Sequence, residues 1–117
     1  MQYLLMLYVN EGGWSKLTQA QQEQGVAAYA AYTEAIKKAG VLKGSNRLQG
    51  SSTATTVRIA NGKSQVLNGP YADSKEQLGG YYLIDVPDLD AALSWAARCP
   101  AASHGVVEVR PIWPMAV

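Results

Sequence analysis

The chain has 117 residues, with ten Lys and Arg against nine Asp and Glu, a net charge of +1 and only 16% charged residues. That length suffices for one domain (1–117) to bury a core without staples. The balanced charge, with no basic stripe, points away from nucleic acid and from an anionic membrane surface. A lone cysteine, Cys99, excludes an internal disulfide, and the apolar start Met1 to Val9 is too short to span a bilayer, so a cytoplasmic protein is expected.

Tyr3 to Val9 is a nearly continuous apolar run, as in a strand covered on both faces, and Asn10-Glu11-Gly12-Gly13 ends it with turn formers. Thr18 stands three residues before Gln21, a capping-box pattern that starts a long helix. Val26, Tyr29, Ala30, Thr33 and Ile36 give that helix an apolar face, Lys37 and Lys38 suit its negative end, and Gly40 stops it. The stretch Val41 to Ser52, with Gly44, Ser45, Asn46 and Gly50, reads as irregular.

Thr53 to Ala60 is rich in β-branched residues and reads as a strand. Asn61-Gly62 signals a hairpin, with Lys63 to Leu67 returning. A polar loop opens with Asn68-Gly69-Pro70 and leads through Gly79-Gly80 into the strand Gly80 to Val86. Asp88 can cap a second helix whose buried stripe is Leu89, Ala92, Leu93 and Ala96. Arg98 suits its end, Pro100 blocks its continuation, and Gly105 to Ile112 forms the last strand.

The order β-α-β-β-β-α-β describes an α+β fold, ferredoxin-like β-α-β-β-α-β with an extra hairpin strand. Two helices cover one face of such a sheet, so the other is solvated or buried by a partner. Apolar residues of both parities in Tyr3 to Val9 and Tyr81 to Val86 favour burial, and a two-fold homodimer packed sheet against sheet follows.

Chemistry concentrates in residues 68–80, a polar loop set before a buried strand. Asn68 and Pro70 either make a simple turn or line a pocket, and Tyr71 either points its hydroxyl there or packs. Asp73, Lys75 and Glu76 read as a ligand-fixing charge cluster or as exposed ions, with Arg110 within possible reach. Glu108 and Arg110 share one strand face, as a mutual pair, a clamp between subunits or an anion site. His104, the single histidine, is a weak catalytic candidate in a loop setting. Cys99 reads as a buried structural thiol. No Cys/His group has metal-ligand spacing and no glycine loop suits a phosphate, so no metal or cofactor is expected.

Asn68-Gly69-Pro70-Tyr71 resembles the Asp-Gly-Pro-Phe tetrapeptide that names the DGPF-domain, or YCII-related, family. The resemblance extends over nearly the whole chain: the N-terminal strand, the Trp14 segment, Ala39-Gly40, Ala54 to Arg58, Ala91 to Pro100 and Glu108-Val109-Arg110-Pro111. It implies a dimeric α+β barrel, and relatives have been viewed as enzymes through a His-Asp pair in a cleft. Here the family acid falls on Asn68, which cannot shuttle a proton near neutral pH, and Gln19 to Ala39 holds no histidine.

The resemblance names no substrate, and the polar loop together with the analogy to dimeric α+β barrels leads to the expectation of a small organic molecule bound in a cleft beside residues 68–80. The alternative is a non-catalytic regulatory module with a partner from an extracytoplasmic-function sigma-factor system. An enclosed cleft holding Asn68, Tyr71 and Lys75 favours the first.

Overall fold

Gln2–Val9 forms the first strand, β1, and its alternation sets the layout of the molecule. Tyr3, Leu5 and Leu7 are buried, whereas Leu4, Met6 and Tyr8 on the opposite face are half-buried. The computed structural model describes residues 1–114. After β1, the Asn10 side chain accepts the Gly13 N–H and caps a short helix, α1 (Glu11–Ser15), so the expected turn winds into one helical turn.

The long helix α2 (Gln19–Lys38) starts at the expected capping box. Thr18 Oγ1 accepts the Gln21 N–H at 3.1 Å, and the Gln21 side chain accepts the Thr18 N–H at 2.9 Å. Its buried face is shifted from the sequence expectation: Val26 and Ala30 are exposed, and Tyr32 and Ile36 carry the contact. The buried positions of α2, Tyr32 and Ile36, lie in its C-terminal half, and Val26 in its N-terminal half is exposed.

Leu42–Arg47, expected to be irregular, is a strand, β2. It pairs antiparallel with β5 (Gln77–Asp85), Ser45 opposite Tyr82 and Asn46 opposite Tyr81. A glycine-bearing polar segment becomes a strand here because β5 offers a free edge, which outweighs weak intrinsic propensity. β5 already includes Gly79 and Gly80.

A 3₁₀ turn (Ser51–Thr53) then leads into β3 (Thr55–Ala60) and β4 (Lys63–Asn68). α3 (Leu89–Arg98), α4 (Ala101–His104) and β6 (Val106–Pro111) complete the order. The four-stranded sheet runs β2-β5-β1-β6 with antiparallel neighbours throughout, the ferredoxin-like arrangement. β3 and β4 form a separate two-stranded sheet, so the whole hairpin is the addition to that arrangement rather than one of its strands.

The helices cover the face of Tyr3, Leu5, Leu7, Tyr82 and Ile84, against Tyr32, Ile36, Ala92, Ala96, Cys99 and Ala101. Asp88 caps α3 as expected, accepting the Ala91 N–H at 2.9 Å. Leu89 and Leu93 are nevertheless exposed, because the small Ala92 and Ala96 make the close contact.

Phenylalanine is absent and tyrosine takes its place inside, each buried ring with a partner for its hydroxyl. Tyr32 donates to the Trp95 carbonyl at 2.7 Å, Tyr82 and Thr33 share a hydrogen bond of 2.8 Å, and the Tyr3 hydroxyl lies 3.6 Å from the Met1 sulfur. Burial pushes the Tyr29 phenol up to about 12 and raises those of Tyr32 and Tyr82. It also raises the Cys99 thiol, which is buried and structural as expected. Among the described residues no helix is long and apolar enough to cross a membrane.

Candidate functional site

The candidate site grows from the root of the hairpin. Asn61 and Gly62 adopt φ of 52° and 75°, the left-handed pair that a tight two-residue hairpin turn needs. This fixes the register: Thr55 opposite Asn68, Thr56 opposite Leu67, Val57 opposite Val66 and Arg58 opposite Gln65. Alternation then sorts the side chains into a face of Thr55, Val57, Ile59, Val66 and Asn68 and a face of Thr56, Arg58 and Leu67.

Gly69, at φ 107°, turns the chain back across the second face. Its N–H donates to the Ala54 carbonyl at 2.8 Å, and its own carbonyl accepts the Thr56 hydroxyl at 2.8 Å. A side chain at this φ would be strained, so glycine is the residue that permits the return. The loop closes over a cleft of about 200 Å³ lined by Thr56, Arg58, Leu67, Asn68, Gly69, Pro70 and Tyr71. The Arg58 guanidinium lies 5.9 Å from the centre of the Tyr71 ring, within cation–π range.

The root is pinned from both sides. The Glu11 carboxylate accepts the Ser51 N–H at 2.8 Å and the Ser51 hydroxyl at 2.7 Å before the hairpin. After it, the Gln77 side chain accepts the Glu11 N–H at 3.3 Å and donates to the Ser74 carbonyl at 3.0 Å. One short helix thus holds both chain segments that enter and leave the cleft.

Of the residues singled out from sequence, the structure brings Asn68 and Tyr71 together in this cleft. Asn68 is among the lining residues, while the register directs its side chain toward the opposite face of the hairpin. Asp73, Lys75 and Glu76 are not among the lining residues, and the cleft that forms holds no Lys75. The ion pairs among the described residues are Met1 amino to Asp85 and Arg110 to Glu108, so the expected reach of Lys75 or Glu76 to Asp73 or Arg110 is not made.

Arg110 sits on the sheet, 2.5 Å from Glu108, which makes the two a mutual pair. His104 ends α4 rather than lying in a loop, and its ring meets Tyr29 edge-on at 6.4 Å. It shares no contact with the cleft. Sequence reading missed Thr56 and Arg58. The signal lay in the hairpin register, which sets Thr56 opposite Leu67 beside the motif.

A larger hollow, about 440 Å³, opens elsewhere, between α1 and the N-terminal half of α2, lined by Trp14, Gln19, Gln22, Glu23, Val26 and Ala27. Its lining residues include no cation, although the Arg47 guanidinium lies 5.8 Å from the centre of the Trp14 ring, whereas the lining of the smaller cleft itself combines a guanidinium, a phenol and a hydroxyl. Convergent polar groups mark a binding site better than volume does. Among the described residues no three His, Cys, Asp or Glu side chains cluster as metal ligands.

The family model of the YCII-related domain matches residues 1–116. The chain belongs to the YCII-related family. An uncharacterized protein of Rhizobium meliloti (strain 1021) is 36% identical over 114 residues, covering 96% of this chain and 92% of that protein. Among solved structures, the fold is similar to a 5-chloro-2-hydroxyhydroquinone dehydrochlorinase from Burkholderia phenoliruptrix AC1100, solved in complex with 2,5-dihydroxybenzoquinone. The TM-score is 0.58 and the identity 16%, over 97% of this chain and 94% of that one. At that identity the likeness speaks for the fold.

Proposed function

We propose that this YCII-related protein binds a small, planar organic anion in the cleft at the hairpin root, as a homodimer of dimeric α+β-barrel type. The observation that carries the reading is Arg58 facing Tyr71 across a cleft that also holds the Thr56 hydroxyl and the apolar Leu67. A guanidinium fixes an anionic oxygen, an exposed phenol ring stacks on a planar ligand, and the exposed Leu67 gives its edge an apolar contact. The similar fold solved with 2,5-dihydroxybenzoquinone is a precedent for a small ring ligand. The open sheet face supports the dimer: Leu4, Met6, Tyr8, Tyr81 and Leu83 stand on the face the helices leave open, which a second copy would bury.

Binding is the core of this proposal, and proton transfer is not part of it. Asn68 is an amide, and His104 stands against Tyr29 instead of the cleft. Native mass spectrometry on gently purified protein, followed by calorimetric titration with 2,5-dihydroxybenzoquinone as probe, tests the reading. Arg58→Ala is expected to weaken binding at least about tenfold, roughly the loss of one charged hydrogen bond, with an unchanged thermal midpoint. Asn68→Ala should weaken it less, because its side chain leaves on the other face. No retained compound and no saturable binding would overturn the reading and leave an interaction module as the function.

A further inference from the structure

The cleft at the hairpin root is polarised in its hydrogen bonding. Thr56 and Arg58 are alternate residues of β3, so both side chains stand on the cleft face. At the Arg58 end the groups donate. A guanidinium carries N–H donors and no acceptor, and among the described residues Arg58 makes no ion pair, the pairs being Met1 with Asp85 and Arg110 with Glu108. At the Thr56 end the protons are already committed. A carbonyl can only accept, so the 2.8 Å bond between Thr56 and the Gly69 carbonyl fixes the direction of the hydroxyl and uses its proton. The Gly69 N–H is likewise held by the Ala54 carbonyl at 2.8 Å. Pro70, next in the lining, has no N–H to give. Thr56 Oγ1 therefore faces a ligand with lone pairs alone.

We infer that Thr56 sets the specificity of this cleft, selecting among planar anions those that carry an O–H on the side remote from the anionic group, as a hydroxylated aromatic acid does. The inference rests on the anion-binding reading above and deepens it. Arg58 holds the carboxylate of any such acid and does not discriminate among them. The far edge of the ring, lying along Tyr71, meets Thr56. A hydroxyl there donates to Thr56 Oγ1. An ether or a bare ring edge leaves that oxygen without a proton, and a second anionic oxygen meets it lone pair to lone pair. Sites that hydrogen-bond a ligand hydroxyl reject the analogue lacking it, most strongly where water is excluded. Tyr71 is 79% exposed, so water reaches this cleft and the preference is modest, about fivefold, the worth of one ordinary hydrogen bond.

Calorimetric titration at neutral pH with benzoate, 3- and 4-hydroxybenzoate and their methoxy ethers tests the selection. The wild-type protein should bind the better hydroxybenzoate about fivefold more tightly than its ether and than benzoate. Thr56→Val keeps the shape and removes the oxygen, so the ratio should fall to about one, and Thr56→Ser should restore it. Thr56→Val also releases the Gly69 carbonyl, so each ratio is read within one variant. An NMR titration of the wild-type protein reads the same contact without a substitution: the Thr56 methyl resonance should move further with the hydroxybenzoate than with the ether. Equal affinity for all the acids, lost together in Arg58→Ala, would overturn the role of Thr56 and spare the anion cleft. So would a hydroxyl preference that survives in Thr56→Val, or binding of 2,5-dihydroxybenzoquinone with none of the acids. No saturable binding of any of these compounds would overturn both.

Discussion

β5 and β4 are both strands of ordinary composition, yet one is the centre of the molecule and the other lies bare. Along β5, Gly80, Tyr82 and Ile84 are buried in strict alternation, while every residue of β4 is exposed. Val66 and Leu67 are no less apolar than Leu83. The difference is in the neighbours: β5 has strands on both sides and helices above, and β4 has only β3. Burial here is a property of topology, and the two regions should therefore respond to the same kind of substitution in opposite ways.

The largest response belongs to the sheet centre. Leu5 is fully buried on β1 between the helices and the sheet. Leu5→Ala should cost about 2–5 kcal/mol, the usual range when a core leucine leaves a cavity, read from chemical denaturation. A cost below about 1 kcal/mol would mean that the body of the molecule is as loosely held as the β3–β4 hairpin.

High pH sharpens the contrast next, because the raised phenols all belong to the body. Tyr29, Tyr32 and Tyr82 have pKa values raised by burial above the ordinary 10.0 of the unfolded chain. A raised value means that the folded state holds its proton more tightly. The contribution is fully present below pH 10 and is lost as pH rises through the folded values, about 12 for Tyr29. Stability measured by denaturant should hold between pH 7 and 9 and fall steadily above 10. Tyr32→Phe should make that fall shallower, and at neutral pH it should cost about 1 kcal/mol for the lost hydrogen bond to Trp95. A stability that is flat to pH 12 would place these rings in solvent.

The body was largely legible in sequence where local chemistry decides. The Thr18–Gln21 box, the Asp88 cap and the Asn61-Gly62 turn are interactions within a few residues of each other, and each formed as read. β2 was not legible, because Leu42–Arg47 takes its strand state from the edge of β5, distant in sequence. The helix faces were half legible: periodicity found the stripe on α2, but which part of it is covered depends on tertiary packing, which buries Tyr32 and Ile36 and leaves Val26 exposed. The site divides in the same way. The motif turn announced Asn68 and Tyr71, while Arg58 came into the cleft through hairpin register, which no single strand states.

The smallest global effect, and the sharpest local one, is expected at Gly62. Its φ of 75° is open to glycine and costs an alanine roughly 1–2 kcal/mol. In a protein that unfolds as one unit, Gly62→Ala would lower the unfolding free energy by that amount and the denaturation midpoint in proportion. If the hairpin opens on its own, the midpoint should stay put, and hydrogen exchange at the amides of 55–68 should speed up about 5–30-fold while those of β1 and β5 keep their rates. The paired readout decides between the two cases, because only a hairpin that folds independently of the sheet can lose protection alone. Equal losses in both regions would show that β3 and β4 draw their stability from the body after all. The exposure of Val57, Ile59 and Val66 would then describe a braced extension and not a free hairpin.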